Sequence, residues 1–138
     1  MTAIESNHRK ANFVAAAATR LGLANLTVIP RQAREVGRFP DHAGAYDAVV
    51  LRAVGDPGRL VRDCRQLLRP TPGSRIVFYQ TPETVAETQP LAQREAAKYG
   101  LTVAESAVVE LPLAAGRRQF LILTRSAGSG APQSSSLT

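Results

Sequence analysis

The carboxylate at position 5 sets the frame for this chain. Thr2-Ala-Ile4 is a short run of small and apolar residues that ends in Glu5, and the polar pair Ser6-Asn7 then opens a helix predicted to reach about Leu21. A strand that closes on an acid at a helix entrance has a known use in α/β proteins: the carboxylate accepts hydrogen bonds from both hydroxyls of a cofactor ribose. An acid there also favours the helix dipole, by a few tenths of a kcal/mol to about 1. The stretch alone admits both readings.

The rest of the chain extends the same pattern. Phe13, Val14, Ala17, Ala18 and Leu21 recur at helical spacing, and Gly22 supplies a stop. Leu26-Thr-Val-Ile29 reads as a strand ended by Pro30, so the opening unit is strand, helix, strand with parallel strands. Arg31–Val36 is expected to form a helical turn and Gly37–Ala45 a loop. Tyr46–Leu51 reads as the clearest buried strand, and the turn-rich Arg52–Gly58 lies at its C-terminal end. Arg59–Leu68 is predicted to be an amphipathic helix. Leu60, Val61, Cys64, Leu67 and Leu68 make its apolar face, with Arg59, Arg62, Arg65 and Arg69 on another. Arg75–Tyr79 is a strand, and Glu83–Tyr99 a helix broken or restarted at Pro90. Leu101–Leu111 and Arg118–Thr124 read as an antiparallel hairpin. Ser126–Thr138 is uncharged, rich in Ser, Gly and Ala, and expected to be disordered.

This order is the back end of a doubly wound α/β sheet. A chain of 138 residues, 44% hydrophobic, suffices for one domain with a core. One cysteine, Cys64, excludes an internal disulfide, fits a reducing compartment, and on an apolar helix face is expected to be core. No apolar run approaches the roughly 20 residues that span a bilayer, and residues 1–10 lack a secretory signal pattern, so the expected location is the cytoplasm. The net charge is +6, and 15 of the 17 basic residues are Arg, which grips phosphate and stacks on bases. His8 and His42 lie far apart in sequence and are expected to be exposed and unligated, leaving no metal site. No Ser/His/Asp constellation and no catalytic acid or base stands out.

Several stretches together carry a family resemblance: Ile4-Glu-Ser-Asn-His-Arg-Lys-Ala-Asn-Phe13, Leu21-Gly-Leu-Ala-Asn-Leu26, Tyr46-Asp-Ala-Val-Val-Leu-Arg-Ala-Val54, Leu67-Leu-Arg-Pro70 and Arg118-Gln-Phe-Leu-Ile-Leu123. From residue 2 to about 125 the chain resembles, in family order, the bacterial 16S rRNA 7-methylguanosine methyltransferases, the glucose-inhibited division protein B family. The resemblance implies a methyltransferase-like domain over 1–125 with a partial Rossmann-like class I sheet. That sheet is mostly parallel, ends in an antiparallel hairpin, and lacks the usual first strand and Gly-rich loop. It implies S-adenosyl-L-methionine as cofactor and 16S rRNA or the 30S particle as partner. By position, Glu5 falls near the cofactor ribose and the backbone around Ala33-Arg34 near the adenine. Arg52 falls at the cofactor and substrate site, and Arg118 on the last strand at the substrate side.

The chemistry is compatible with these residues. Guanine N7 has an exposed lone pair, so methylating it needs alignment more than a general base. The chain departs from the family at Gln32, Arg34 and Gln80-Thr81, the last pair standing where Lys-Gly is usual, and at Gly116-Arg-Arg118, where an acid usually precedes the Arg. An inactive remnant serving as a basic RNA-binding or interaction module is the alternative, and an NAD-linked Rossmann half a more distant one. For Arg52, pairing with Asp47 or Asp56 competes with a binding role. For the Arg59/Arg62/Arg65/Arg69 stripe, a solvated face competes with a phosphate-tracking one.

Overall fold

The computed structural model describes residues 1–52 and 55–127; the tail from 128 onward, where disorder is expected, lies outside them. Strand β1 (Thr2–Ile4), helix α1 (His8–Arg20) and strand β2 (Thr27–Ile29) form the first unit. Its strands are parallel, with Thr2 opposite Thr27 and Ile4 opposite Ile29. A short helix α2 (Ala33–Val36) follows. Strand β3 (Ala48–Leu51), helix α3 (Pro57–Cys64) with a 3-10 turn at Arg65–Leu67, and strand β4 (Arg75–Gln80) repeat the pattern, again in parallel. Helix α4 (Pro82–Ala97) leads to β5 (Leu101–Glu105), β6 (Val109–Glu110) and β7 (Arg117–Arg125).

These strands make two sheets. One is β1-β2; the other runs β3-β4-β7-β5, with β6 beside β7. Strand β7 enters antiparallel between β4 and β5, so β3, β4 and β5 run one way and β7 the other. The expected long strand Leu101–Leu111 is interrupted at Ser106. Its hydroxyl accepts the Phe120 N–H at 2.9 Å, replacing a backbone carbonyl in the ladder and turning the chain.

Three helices start at the C-terminal ends of strands, each with a polar cap. Asn7 accepts the Lys10 N–H at 3.1 Å, Asp56 the Gly58 N–H at 3.0 Å, and Thr81 the Thr84 N–H at 3.3 Å. Proline at the first turn of α3 and α4 fits there because its missing N–H would have had no partner. The ends of β1, β3 and β4 therefore meet helix N-termini along one lip of the molecule.

The core lies beneath the larger sheet. Val61, Cys64, Leu68, Ile76, Phe78, Val85, Ala92, Ala96, Leu101, Leu121 and Leu123 form one buried cluster, drawn from α3 to β7. The amphipathic reading of Arg59–Leu68 holds. Burial, with the Asp63 charge second, pushes the Cys64 thiol up to about 12, so this cysteine is core and protonated at neutral pH.

Several expectations are corrected. Helix α1 does not bury Phe13 or Leu21, each 73% exposed; its inward face is Ala11 and Ala18, because it packs on a sheet of only two strands. Strand β3 is half open rather than buried: Val50 is 68% exposed, since β3 has a hydrogen-bonded neighbour on one side only. Pro90 does not break α4; the helix runs through it, with Pro90 on the exposed side. His42 is not exposed. It is half-buried and bonded through Nδ1 to the Tyr46 hydroxyl at 2.6 Å.

Candidate functional site

Two cavities open along the lip where the strands end, and Glu5 and Arg52 line both. The larger, about 890 Å³, lies between β1 and β3 and is walled by residues 1–6, Arg31–Ala33, Tyr46, Ala48–Arg52 and the inner side of α3. The smaller, about 560 Å³, is polar and lined by Glu5, Lys10, Arg52, Tyr79, Gln80, Thr81, Thr84 and Arg118.

Glu5 is half-buried. Its backbone N–H donates to the Ile29 carbonyl at 3.1 Å, which finishes the β1-β2 ladder, and its Oε2 accepts the Asn7 N–H at 3.0 Å. One carboxylate oxygen is thus held by the α1 entrance, in a residue that lines both cavities. Arg52 follows directly on β3 and is exposed. Neither acid that competes for it takes it: Asp47 pairs with Arg69 at 3.0 Å, and Asp56 caps α3.

Ala33 lines the larger cavity, whereas Arg34 lines neither. Arg34 therefore adjoins the wall in sequence without lining it. The N–H groups of Ala33 and Arg34 lie in the first turn of α2, where no preceding helical carbonyl reaches them. Glu35 accepts the Gln32 N–H at 3.2 Å and fixes that turn.

Arg118 reaches the smaller cavity because β7 is antiparallel, so its beginning lies beside the end of β4; Gln80 sits opposite Gln119. Its guanidinium lies 5.8 Å from the centroid of the Tyr79 ring and donates to the Arg117 carbonyl at 2.8 Å. Gln80 is buried, its Nε2 donates to the Thr88 hydroxyl at 3.1 Å, and its Oε1 has no partner.

Sequence reasoning missed Lys10, Tyr79 and Thr84 as cavity residues and noted Gln80-Thr81 only as a departure. The signal was present: 79–81 end a strand, where α/β sheets place ligands. The arginine stripe is largely the solvated face: Arg59, Arg62 and Arg69 are exposed, and only Arg65 is half-buried. Arg59 pairs with Asp63 at 3.8 Å, Arg62 with Glu95 at 3.9 Å, Arg65 stacks 4.3 Å from the Tyr99 centroid, and Arg69 holds Asp47. Among the described residues, no cluster of His, Cys, Asp and Glu could hold a metal, and no helix is long and apolar enough to cross a membrane.

A strand-end acid and a second strand-end arginine on one lip, beside a helix turn with spare N–H groups, is an arrangement that comparison can place. The model of the family described as rRNA small subunit methyltransferase G matches residues 1–114. The chain belongs to that family. It is 32% identical over 124 residues to ribosomal RNA small subunit methyltransferase G of Deinococcus deserti, covering 90% of this chain and 50% of that one. The chain spans about half the length of such curated relatives. Among solved structures, a methyltransferase from Pyrococcus furiosus superimposes with a TM-score of 0.67 at 15% identity, over 91% of this chain and 62% of that one. Fibrillarin from Aeropyrum pernix, solved with natively bound S-adenosyl-L-methionine, gives a TM-score of 0.59 at 16% identity, over 88% and 54%. These likenesses establish the Rossmann-like methyltransferase fold of this family member.

Proposed function

We propose that this family member works as an S-adenosylmethionine-dependent rRNA methyltransferase, delivering methyl to N7 of a guanine in 16S rRNA. The observation that carries the reading is the shared lip: Glu5 and Arg52, from different strands, line the same two cavities.

The residues fit the cofactor. The Glu5 carboxylate suits a pair of ribose hydroxyls, the spare N–H groups of Ala33 and Arg34 suit an adenine ring nitrogen, and Ile4 and Leu51 supply apolar wall. When bound, S-adenosylmethionine supplies an electrophilic methyl on a sulfonium. The polar cavity would receive the base. Lys10, Arg52 and Arg118 offer three cations to RNA phosphates, and the unpartnered Gln80 Oε1 offers an acceptor to a base N–H. N7 carries no proton, so no side chain needs to remove one; holding the base in line supplies the rate. Arg52 touches both cavities and is suited to hold cofactor and substrate in register. The proposal takes the 30S particle as the form of substrate and the cytoplasm as the location, which an rRNA substrate and the lone buried thiol support.

The test is methyl transfer from labelled S-adenosylmethionine to undermodified 30S particles. The reading expects label at a guanine N7. Salt-sensitive RNA binding with neither cofactor binding nor label would instead assign the chain as an inactive RNA-binding remnant.

A further inference from the structure

The turn between β6 and β7 breaks a local rule at an exposed place. Leu113 and Ala114 have φ of 59° and 55°, and among the described residues they are the only ones besides glycine with positive φ. They are the central pair of a tight turn, closed by the Ala115 N–H donating to the Pro112 carbonyl at 3.2 Å. Asn-Gly takes such a turn without strain, whereas leucine brings its Cβ against the following carbonyl. Burial does not offset this strain, since Leu113 is 99% exposed. Topology sets where the turn stands. Strand β4 ends with Gln80 opposite Gln119 of β7, which runs the other way. The chain from Arg118 back to Leu113 therefore reaches beyond the end of β4, past the lip. Arg117, paired there with Glu110 of β6, is pinned to Glu83 of α4 at 3.1 Å. The loop backbone lies against Arg118: a Cβ on Gly116 would come within 3.3 Å of its Nη1. Arg118 in turn lines the polar cavity. From Arg118 to the turn is about three rungs of the hairpin, or about 10 Å, the span of about three stacked nucleotides.

We propose that Leu113 is a wedge that enters the base stack of the RNA flanking the nucleotide held in the polar cavity. An apolar side chain inserted between bases unstacks them and kinks the strand, and a base must leave its stack before it can enter a pocket. The strained turn holds the side chain in the open before RNA arrives, so no ordering of the loop opposes insertion. Lys10, Arg52 and Arg118 line the cavity beside it. Those cations suit a phosphate backbone and not an apolar protein surface, which makes RNA the occupant the charges favour. Leu113 does not touch the reacting atoms; it positions the base by disrupting its neighbours. The inference rests on the RNA substrate proposed above, and concerns how the base is exposed and not how the methyl donor is held.

The probe is an RNA stem-loop with one loop guanine and 2-aminopurine placed at successive loop positions, since 2-aminopurine brightens when it is unstacked. It is titrated with the full chain in the absence of S-adenosylmethionine. The expected result is saturable binding with a rise in fluorescence centred about three nucleotides from the guanine. Leu113→Asn, which suits a positive φ, should melt about 2–4 °C higher than the parent and yet lose that rise. Leu113→Phe keeps an apolar side chain and should keep the rise. A leucine with only a structural role would show the reverse, an Asn variant that is less stable and unstacks the probe as the parent does. Binding without a rise, a rise that survives Leu113→Asn, or one lost in Leu113→Phe would overturn the wedge and leave the methyltransferase reading in place. No RNA binding at all would overturn both. A rise that depends on Leu113, with no methyl transfer to 30S particles, would keep the wedge and remove the methyltransferase reading alone.

Discussion

Buried partners, not residue type, decide which side chains matter. Phe78 is fully buried while Phe13 is 73% exposed. Phe78→Ala is expected to cost about 3–5 kcal/mol, and Phe13→Ala about 0.5 or less, as read by urea denaturation. Glu95 is the buried acid of the α3–α4 interface. The Lys98 ammonium hydrogen-bonded to it, with the Tyr99 hydroxyl and Arg62 beside it, holds its carboxyl below the ordinary 4.5. A lowered carboxyl contributes stability above its unfolded value and loses it as pH falls through its folded value. Glu95→Gln should therefore weaken the protein at neutral pH, with the difference from the parent shrinking below about pH 4.5, as measured by thermal melts across pH. At this scale Glu5 and Arg52 were legible in the sequence because strand-end position is a strong signal. Tyr79 and Gln80 were less so, since a cavity wall built from β4 and β7 appears only once β7 enters between β4 and β5. The partners of the arginine stripe were hidden for a related reason: Glu95, Tyr99 and Asp47 are distant in sequence from the arginines they meet.

Among the elements, boundaries followed caps and turns closely, and the exceptions have physical causes. Helix α4 tolerates Pro90 because the helix is anchored on both sides of it by Val85, Thr88, Ala92 and Ala96, all buried. That tolerance still leaves one backbone bond unmade. Pro90→Ala is expected to stabilise the protein, by up to about 3 kcal/mol on intrinsic propensity, visible as a higher melting temperature; no change or a loss would mean the proline is preorganised in place. Strand β3 shows the limit of pattern reading. Ala-Val-Val-Leu reads as buried on both faces, yet burial needs neighbours, and β3 has a strand partner only in β4.

Over the whole molecule, two unequal units share one lip. The hydrophobic cluster draws only on residues from 61 to 123, so β1, α1 and β2 contribute nothing to it. The small unit is joined to the start of β3 by Thr2 and Tyr46. Hydrogen exchange should therefore show the β1-bonded Thr27 and Ile29 amides opening well before those of Ile76–Phe78; equal protection would mean a single cooperative unit. The fold class was legible from element order alone, because strand–helix–strand units with parallel pairing admit few arrangements. That β1-β2 and β3-β4-β7-β5 stand as two sheets was not, since element order does not record which strand edges pair.

The central claim is that Glu5 and Arg52 face one crevice that holds the methyl donor. Calorimetric titration of S-adenosylmethionine into the chain tests it most directly. The account predicts saturable binding, weakened about tenfold or more by Glu5→Gln and by Arg52→Ala through loss of charged hydrogen bonds, and unchanged by Arg34→Ala, whose side chain lines neither cavity. No binding, or binding indifferent to Glu5 and Arg52, would contradict it.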